Sequence, residues 1–179
     1  MTRMHKLAGT LAAGTIFMTC AAVVQPDDGS PENSGLTVGV FDSRAIALAY
    51  VNSAPFKATM SGLHEDLAEA KASGNTDLVA ELEAYGPRLQ EHLHRQGFST
   101  GSVTDILDRV RDELPALANR AGVAVIVSKW ELAHRAPSVS VIDVTHLLVA
   151  EFEPDKRTTR MIAEMMEKEP LPLMTPHDH

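Results

Sequence analysis

The chain has 179 residues, of which 44% are hydrophobic and 4% aromatic, and its net charge at pH 7 is −8. This acidic balance argues against nucleic acid and anionic lipid as partners, since both require clustered Lys and Arg. The apolar residues are mostly Ala, Leu and Val, which favours helices packed side by side over a large aromatic-lined pocket. The length suits a single domain.

The first 22 residues have the pattern of a signal peptide. Arg3 and Lys6 give a positive start, residues 7–18 carry no charge, and small residues follow around Ala21. The uncharged run is shorter than the ~20 residues of a transmembrane helix, and no later stretch approaches that length. We therefore expect removal of residues 1–22, export to the periplasm and no transmembrane segment in the mature chain. The alternative is an ordinary N-terminal helix.

Cys20 is the only cysteine, so no intramolecular disulfide can form. It stands where a lipoprotein signal places its lipid-carrying cysteine, which makes Cys20 a candidate lipidation site. The residues before it, Phe17, Met18 and Thr19, fit that signal poorly, and loss of Cys20 with the signal peptide is the alternative. Residues 23–35 are rich in Pro, Gly, Ser and acidic residues, a composition typical of a flexible linker.

The first predicted element is a half-buried strand at residues 36–42. Leu36, Val38 and Val40 alternate there with the residues between them, which is the period of a strand. Ser43 is expected to cap a short helix over residues 44–51, which residues 52–55 would break.

Residues 56–96 are predicted to form a helical hairpin. Apolar residues recur there at helical spacing, in one stripe before the turn at residues 73–75 and one after it. The stripes consist of Leu63, Leu67, Leu78, Leu82, Leu89 and Leu93. Gly86 and Pro87 are expected to interrupt and kink the second helix.

The C-terminal half begins with a predicted amphipathic helix at residues 102–121, whose core face includes Val103, Ile106, Val110 and Leu117. Gly122 is expected to end this helix.

Two further strands are predicted after that helix. Residues 123–128 are almost continuously apolar, which is typical of a central strand covered on both sides. Residues 138–142 alternate and favour an edge or hairpin strand. Asp143 or Thr145 would cap a short helix, and residues 154–179 would form a more exposed helix and a disordered tail.

The residue patterns offer no catalytic constellation. His92 and His94 lie two apart, on different faces of a helix, and a metal site that also uses His64 is only a weak alternative. Asp42 and Arg44 flank a strand end and are best interpreted as a structural ion pair or cap. We therefore expect no enzyme activity, no cofactor and no metal site.

Two segments carry a resemblance to a known family. Residues 37–44 look like the opening strand of the Skp/OmpH family of periplasmic chaperones and its lead into the first helix. Residues 114–152 match the family's helix, its apolar strand, its hairpin and its closing V-D-[IVL]-T motif, here near Val141 and Thr145. Over residues 36–153 the chain therefore resembles a single OmpH-like domain.

The resemblance implies an α+β fold, in which a small β-sheet body carries a protruding, coiled-coil-like helical hairpin. It also implies a homo-oligomer, with a trimer favoured, that holds unfolded or outer-membrane client proteins between its arms. The leucine stripes would be the client surface, and Val38, Val40, Val125 and Val127 the oligomer seam. The alternative is a monomeric extracytoplasmic accessory protein that uses the same fold to bind one partner.

Overall fold

Residues 35–172 are described by a computed structural model, and within them the chain is a mixed α/β protein of three strands and seven helices. In chain order the elements are β1 (Thr37–Phe41), α1 (Ser43–Asn52), α2 (Ala54–Ala72), α3 (Thr76–Phe98), α4 (Thr104–Leu107), α5 (Leu114–Ala121), β2 (Val125–Ser128), β3 (Ser140–Asp143), α6 (Thr145–Ala150) and α7 (Lys156–Met166). The predicted signal peptide with Cys20, nearly all of the predicted linker, and residues 173–179 lie outside the described part.

The three strands form a parallel sheet in the order β2-β1-β3. The prediction that residues 123–128 form the central strand is wrong, because β1 lies in the centre and β2 at an edge. A continuous apolar run shows that both faces of a strand carry apolar groups, but it does not show which strands pair with it. Val125 on β2 accordingly remains 47% exposed.

The second edge of the sheet is β3, as one of the two alternatives predicted. The other alternative, a hairpin strand, is wrong, because β3 runs parallel to β1 and does not pair with β2. Parallel strands require a crossover of about a dozen residues, and residues 129–139 carry the chain across to the far edge.

Helices α2 and α3 are joined by a tight turn and pack against each other. Gly74 adopts a φ of 70°, which glycine tolerates best, and Asn75 caps α3 by accepting from the N–H of Leu78. Helix α3 continues through Pro87, so the predicted interruption is absent. The carbonyl that Pro87 leaves without a helical partner belongs to Glu83, whose exposed position lets water replace the lost hydrogen bond.

The single helix predicted at residues 102–121 is instead divided into α4, one 3-10 turn at Asp108–Val110, and α5. Pro115 is the second residue of α5, where a missing N–H does no harm, whereas it could not lie in the interior of a longer helix. The predicted core face survives this division, since Val103, Ile106, Val110 and Leu117 are all buried.

The hydrophobic core lies on one face of the sheet. Phe41 and Ile126 belong to it from that face, together with residues of α1, α4, α5, α6 and α7. Helix α7, predicted to be more exposed, contributes the buried Ile162 and lies against α1. None of the helices in residues 35–172 combines the length and apolar character needed to cross a bilayer.

Gly39 on β1 provides a test of how closely this core packs. A Cβ atom at Gly39 would lie 3.1 Å from both γ-carbons of Val144, whereas one at Gly62 in α2 would meet nothing within 4 Å. We predict that Gly39→Ala destabilises the fold by about 1–3 kcal/mol through overpacking. Gly62→Ala, its control, is expected to stabilise it by about 0.5–1 kcal/mol, because alanine is the better helix former. Urea unfolding of both variants measures this, and equal stabilities would contradict the packing of this face.

Candidate functional site

The carboxyl ends of the three parallel strands meet at one edge of the sheet, which is where α/β proteins commonly place reactive groups. Asp42 follows β1 there and has no exposed surface. Its Oδ1 accepts from the backbone N–H of Arg44 at 3.0 Å and from Arg44 Nε at 3.1 Å. Its Oδ2 accepts from Arg44 Nη2 at 2.8 Å and lies 2.9 Å from Lys129 Nζ. Asp42, rather than the predicted Ser43, is thus the residue that caps α1.

Four donors occupy the two oxygens of the Asp42 carboxylate, so it has no free lone pair aimed at a substrate. Burial raises the pKa of Asp42, but hydrogen bonds and charges from Arg44 and Lys129 outweigh that effect and hold the pKa below its ordinary value of 3.8. The carboxylate is therefore ionised at neutral pH and is a poor general base. The predicted structural pair and cap are both present.

Two further contacts anchor this cluster to the rest of the molecule. The Arg44 guanidinium and the Lys129 ammonium both lie over the ring of Trp130, at 5.2 and 4.4 Å from its centroid. Arg44 Nη1 also donates to the carbonyl of Lys168, just beyond α7, at 2.7 Å. The cluster therefore connects β1, β2, α1 and the C-terminal helix.

The polar residues at the carboxyl end of β3 also have structural roles. Asp143 accepts from the N–H of Thr145 at 2.8 Å, and the Thr145 hydroxyl accepts from the N–H of Asp42 at 3.0 Å. These bonds cap the turn before α6 and tie it to β1, as expected for a capping residue. Asp42, Asp143 and Thr145 thus satisfy one another or their neighbours at the carboxyl edge, whereas Ser43 Oγ and Trp130 Nε1 are buried there without a hydrogen-bond partner.

The largest apolar concavity among the described pockets is an open groove of about 880 Å³. Helix α1 forms its floor, and α2, α3 and α7 form its walls. Its principal apolar residues are Leu48, Val51, Phe56, Met60, Leu89, Leu93, Phe98, Met161 and Met165. Its polar residues, Gln90, His94, Glu164 and Lys168, are exposed and therefore form the rim.

The predicted leucine stripe is divided between two places. Leu89 and Leu93 line the groove, while Leu63, Leu67 and Leu82 line a smaller cleft of about 190 Å³ between α2 and α3. Leu78 is half-buried near the turn. Leu63, Leu67 and Leu82, nearer the turn, therefore pack α2 and α3 together. Leu89 and Leu93, farther from the turn, contribute to a surface that a ligand can reach.

Sequence reasoning missed the groove residues outside the stripe. Phe98 ends α3 and is 54% exposed, and Met161 of α7 is 36% exposed. Met161 and Met165 are spaced four apart, a helical spacing that was visible in the sequence. The pattern did not show that this face would lie beside α1 and α3.

The four predicted seam residues lie on one face of the sheet. Val38 pairs with Val125, and Val40 with Val127, and residues paired in a parallel sheet point to the same side. Val141 of β3 joins them opposite Val38. None of the five valines belongs to the hydrophobic core that the described residues form. This surface, the valine face, is the side of the sheet opposite the core.

Of the three histidines considered as metal ligands, His64 lines the cleft between α2 and α3, and the other two contact separate partners. His92 Nε2 lies 3.1 Å from a carboxylate oxygen of Asp105, while His94 stacks edge-on against Phe98 with ring centroids 5.4 Å apart. Within residues 35–172 no group of three or more His, Cys, Asp or Glu side chains is arranged to hold a metal ion.

Comparison with known proteins gives no relative. No family model, no curated protein and no solved structure matches the chain. Function is therefore inferred from the two apolar surfaces described above, the groove and the valine face.

The ion cluster predicts how stability depends on pH. Because the pKa of Asp42 is lower in the folded chain than in the unfolded one, its stabilisation is fully present above pH 3.8 and is lost as the pH falls through the folded value. We predict that Asp42→Asn destabilises the protein by about 3–5 kcal/mol at pH 7, because two cations lose their buried partner.

The measurement is urea unfolding of the wild type and Asp42→Asn at pH 7 and at pH 3. The difference between the two proteins should shrink in acid, because below pH 3.8 the Asp42 carboxyl of the unfolded chain binds a proton that the folded chain resists. A difference that stays constant would show that Asp42 is not held ionised by Arg44 and Lys129.

Proposed function

We propose that this chain is an exported, non-catalytic holdase of the Skp/OmpH type, which binds apolar segments of unfolded polypeptides in the groove between α1, α3 and α7. The groove is the observation that carries the proposal. Its volume of about 880 Å³ lies in the range of ligand-binding concavities, and its lining is mainly apolar. A surface of this kind gains free energy by covering apolar segments that unfolded proteins expose.

The composition of the lining supports a binder that accepts many sequences. Met60, Met161 and Met165 contribute unbranched, polarizable side chains that adapt to different shapes. The polar groups lie at the rim, so no side chain inside the groove demands a particular hydrogen-bonding partner. The saturation of Asp42 by its four donors supports a function without catalysis.

The proposal includes a homo-oligomer, with a trimer favoured, whose subunits meet through the valine face. The valine face carries one charged residue, Asp143, which pairs with Val40 at the end of β3. The rest of the face is apolar, so chains of net charge −8 can approach each other there with less repulsion than through a fully charged surface. The valine face carries apolar residues from all three strands, and an apolar sheet face typically packs against another layer. Val125 at its β2 edge is 47% exposed, whereas Val38 in its centre is buried.

The size of the valine face favours the second candidate, a monomeric accessory protein that binds one partner. The sheet has three strands of four or five residues, which at about 4.8 Å between strands and 3.3 Å per residue measures roughly 15 Å on each side. A stable interface usually covers about 800 Å² per partner. Self-association would therefore need contacts beyond the sheet.

The groove is tested with a variant that changes only exposed residues. Phe98→Ser combined with Met161→Gln removes two apolar contacts while leaving buried packing intact. We predict about tenfold weaker binding of a fluorescently labelled, urea-denatured client, and a matching loss of aggregation suppression measured by light scattering. Ile142→Ser, which changes an apolar residue of similar exposure outside the groove, is the control and should bind normally. Equal binding by the wild type, the double variant and Ile142→Ser would show that the groove is not the client-binding site.

The valine face is tested by light scattering after size-exclusion chromatography of the chain from residue 23. We predict a mass near three chains for the wild type and near one chain for Val125→Asp, whose charge would be buried in the seam. Ile142→Asp lies on the opposite face of the sheet and should keep the wild-type mass. An unaltered mass for Val125→Asp would show that the seam is wrongly assigned, and a monomeric wild type would favour the accessory protein.

A further inference from the structure

Most of the groove's backbone has its hydrogen bonds satisfied within helices. Every lining residue except Lys168 lies within α1, α2, α3 or α7, where main-chain groups pair along the helix. Two carbonyls at the end of α3 are occupied as well, because that of Arg95 accepts from Gly101 and that of Phe98 accepts from Leu171. The groove therefore presents mainly side chains, and its few unpaired main-chain groups lie at helix ends rather than in a row that an extended segment could pair with.

This property discriminates between the conformations that a bound segment can adopt. An extended segment would bring unpaired N–H and C=O groups into an apolar groove, and burying such groups without partners is unfavourable. A helical segment satisfies these groups internally and presents only side chains to the walls. The groove thus fits a helix better than a strand.

The dimensions of the groove set the length of that helix. Its α3 wall runs from Gly86 to Phe98, which at about 1.5 Å per residue corresponds to about 18 Å. A partner helix of about twelve residues, or three turns, covers this distance. Its apolar residues would recur at positions i, i+3 or i+4, i+7 and i+11, so that they form one stripe.

We propose that the groove binds amphipathic helical segments of partner proteins and discriminates against extended segments of the same composition. The inference rests on the proposed function of the groove and names the class of segment that it takes. Met60 stands on the α2 wall and Met161 and Met165 on the α7 wall, so both sides of the groove adapt to different side chains. Recognition would therefore follow the helical pattern of a sequence more than its identity.

The test uses two synthetic fourteen-residue peptides of identical Leu, Ala, Glu and Lys composition and no net charge. One has its leucines at helical spacing, and the other has them at alternate positions, the spacing of a strand. Their affinities for the purified protein are measured by fluorescence anisotropy. The methionine methyl groups are followed by NMR of protein labelled with ¹³C at these groups, and each signal is assigned with a Met→Leu variant.

The expected result is at least tenfold tighter binding of the helical peptide, with circular dichroism showing helix formation on binding. The methyl signals of Met60, Met161 and Met165 should shift, while that of Met166, which does not line the groove, should stay in place.

Two other outcomes would overturn the inference, and they differ in what they say about the proposed function. If both peptides bind equally and shift the same three methyl signals, the preference for a helix is wrong but the groove remains a binding site. If neither peptide shifts these signals while the protein still holds a denatured client, the groove is not the client site, and the proposed function fails with the inference.

Discussion

The carboxylate of Asp42 and its two cations connect parts of the chain that are far apart in sequence. Arg44 belongs to α1, Lys129 follows β2, and Arg44 in turn holds the carbonyl of Lys168 beyond α7. Helix α7 forms one wall of the groove, and its C-terminal end is therefore fixed by the same cluster that closes the carboxyl edge of the sheet. The shape of the groove thus depends on an ion cluster whose three charged residues do not line it. Lys168, whose carbonyl accepts from Arg44, connects the cluster to the groove.

A buried cluster of this kind is better understood as a determinant of geometry than as a source of stability. Removing charges from water is costly, and an apolar replacement of similar volume is often equally stable. The cluster fixes the orientation of the Arg44 side chain. Asp42 accepts two hydrogen bonds from its guanidinium, from Nε to Oδ1 and from Nη2 to Oδ2, which hold the two groups in one plane. The two cations exceed the single anion, and the ring of Trp130 compensates part of the difference through contacts with both.

Local patterns in the sequence were sufficient to place most elements but not to arrange them. Alternation located β1, and helical spacing located the buried face of Val103, Ile106 and Val110, because both signals arise within a few neighbouring residues. The order of the strands depends on where the chain crosses the sheet, which no local pattern records. The division at Pro115 was visible in the sequence, since an interior proline removes a hydrogen bond, and the apolar periodicity obscured it. The groove joins residues more than one hundred positions apart, such as Leu48 and Met161, so its existence required the structure.

The two apolar surfaces are arranged so that their uses would not compete. The core and its helices cover the face of the sheet that carries Phe41 and Ile126, and the groove is built from helices alone. The valine face lies on the other side of the sheet. A chain that associates through its valines would therefore leave its groove open, and a chain that fills its groove would still be able to associate. If the valine face is instead too small to hold copies together, the groove loses nothing, since all of the described residues that line it come from one chain.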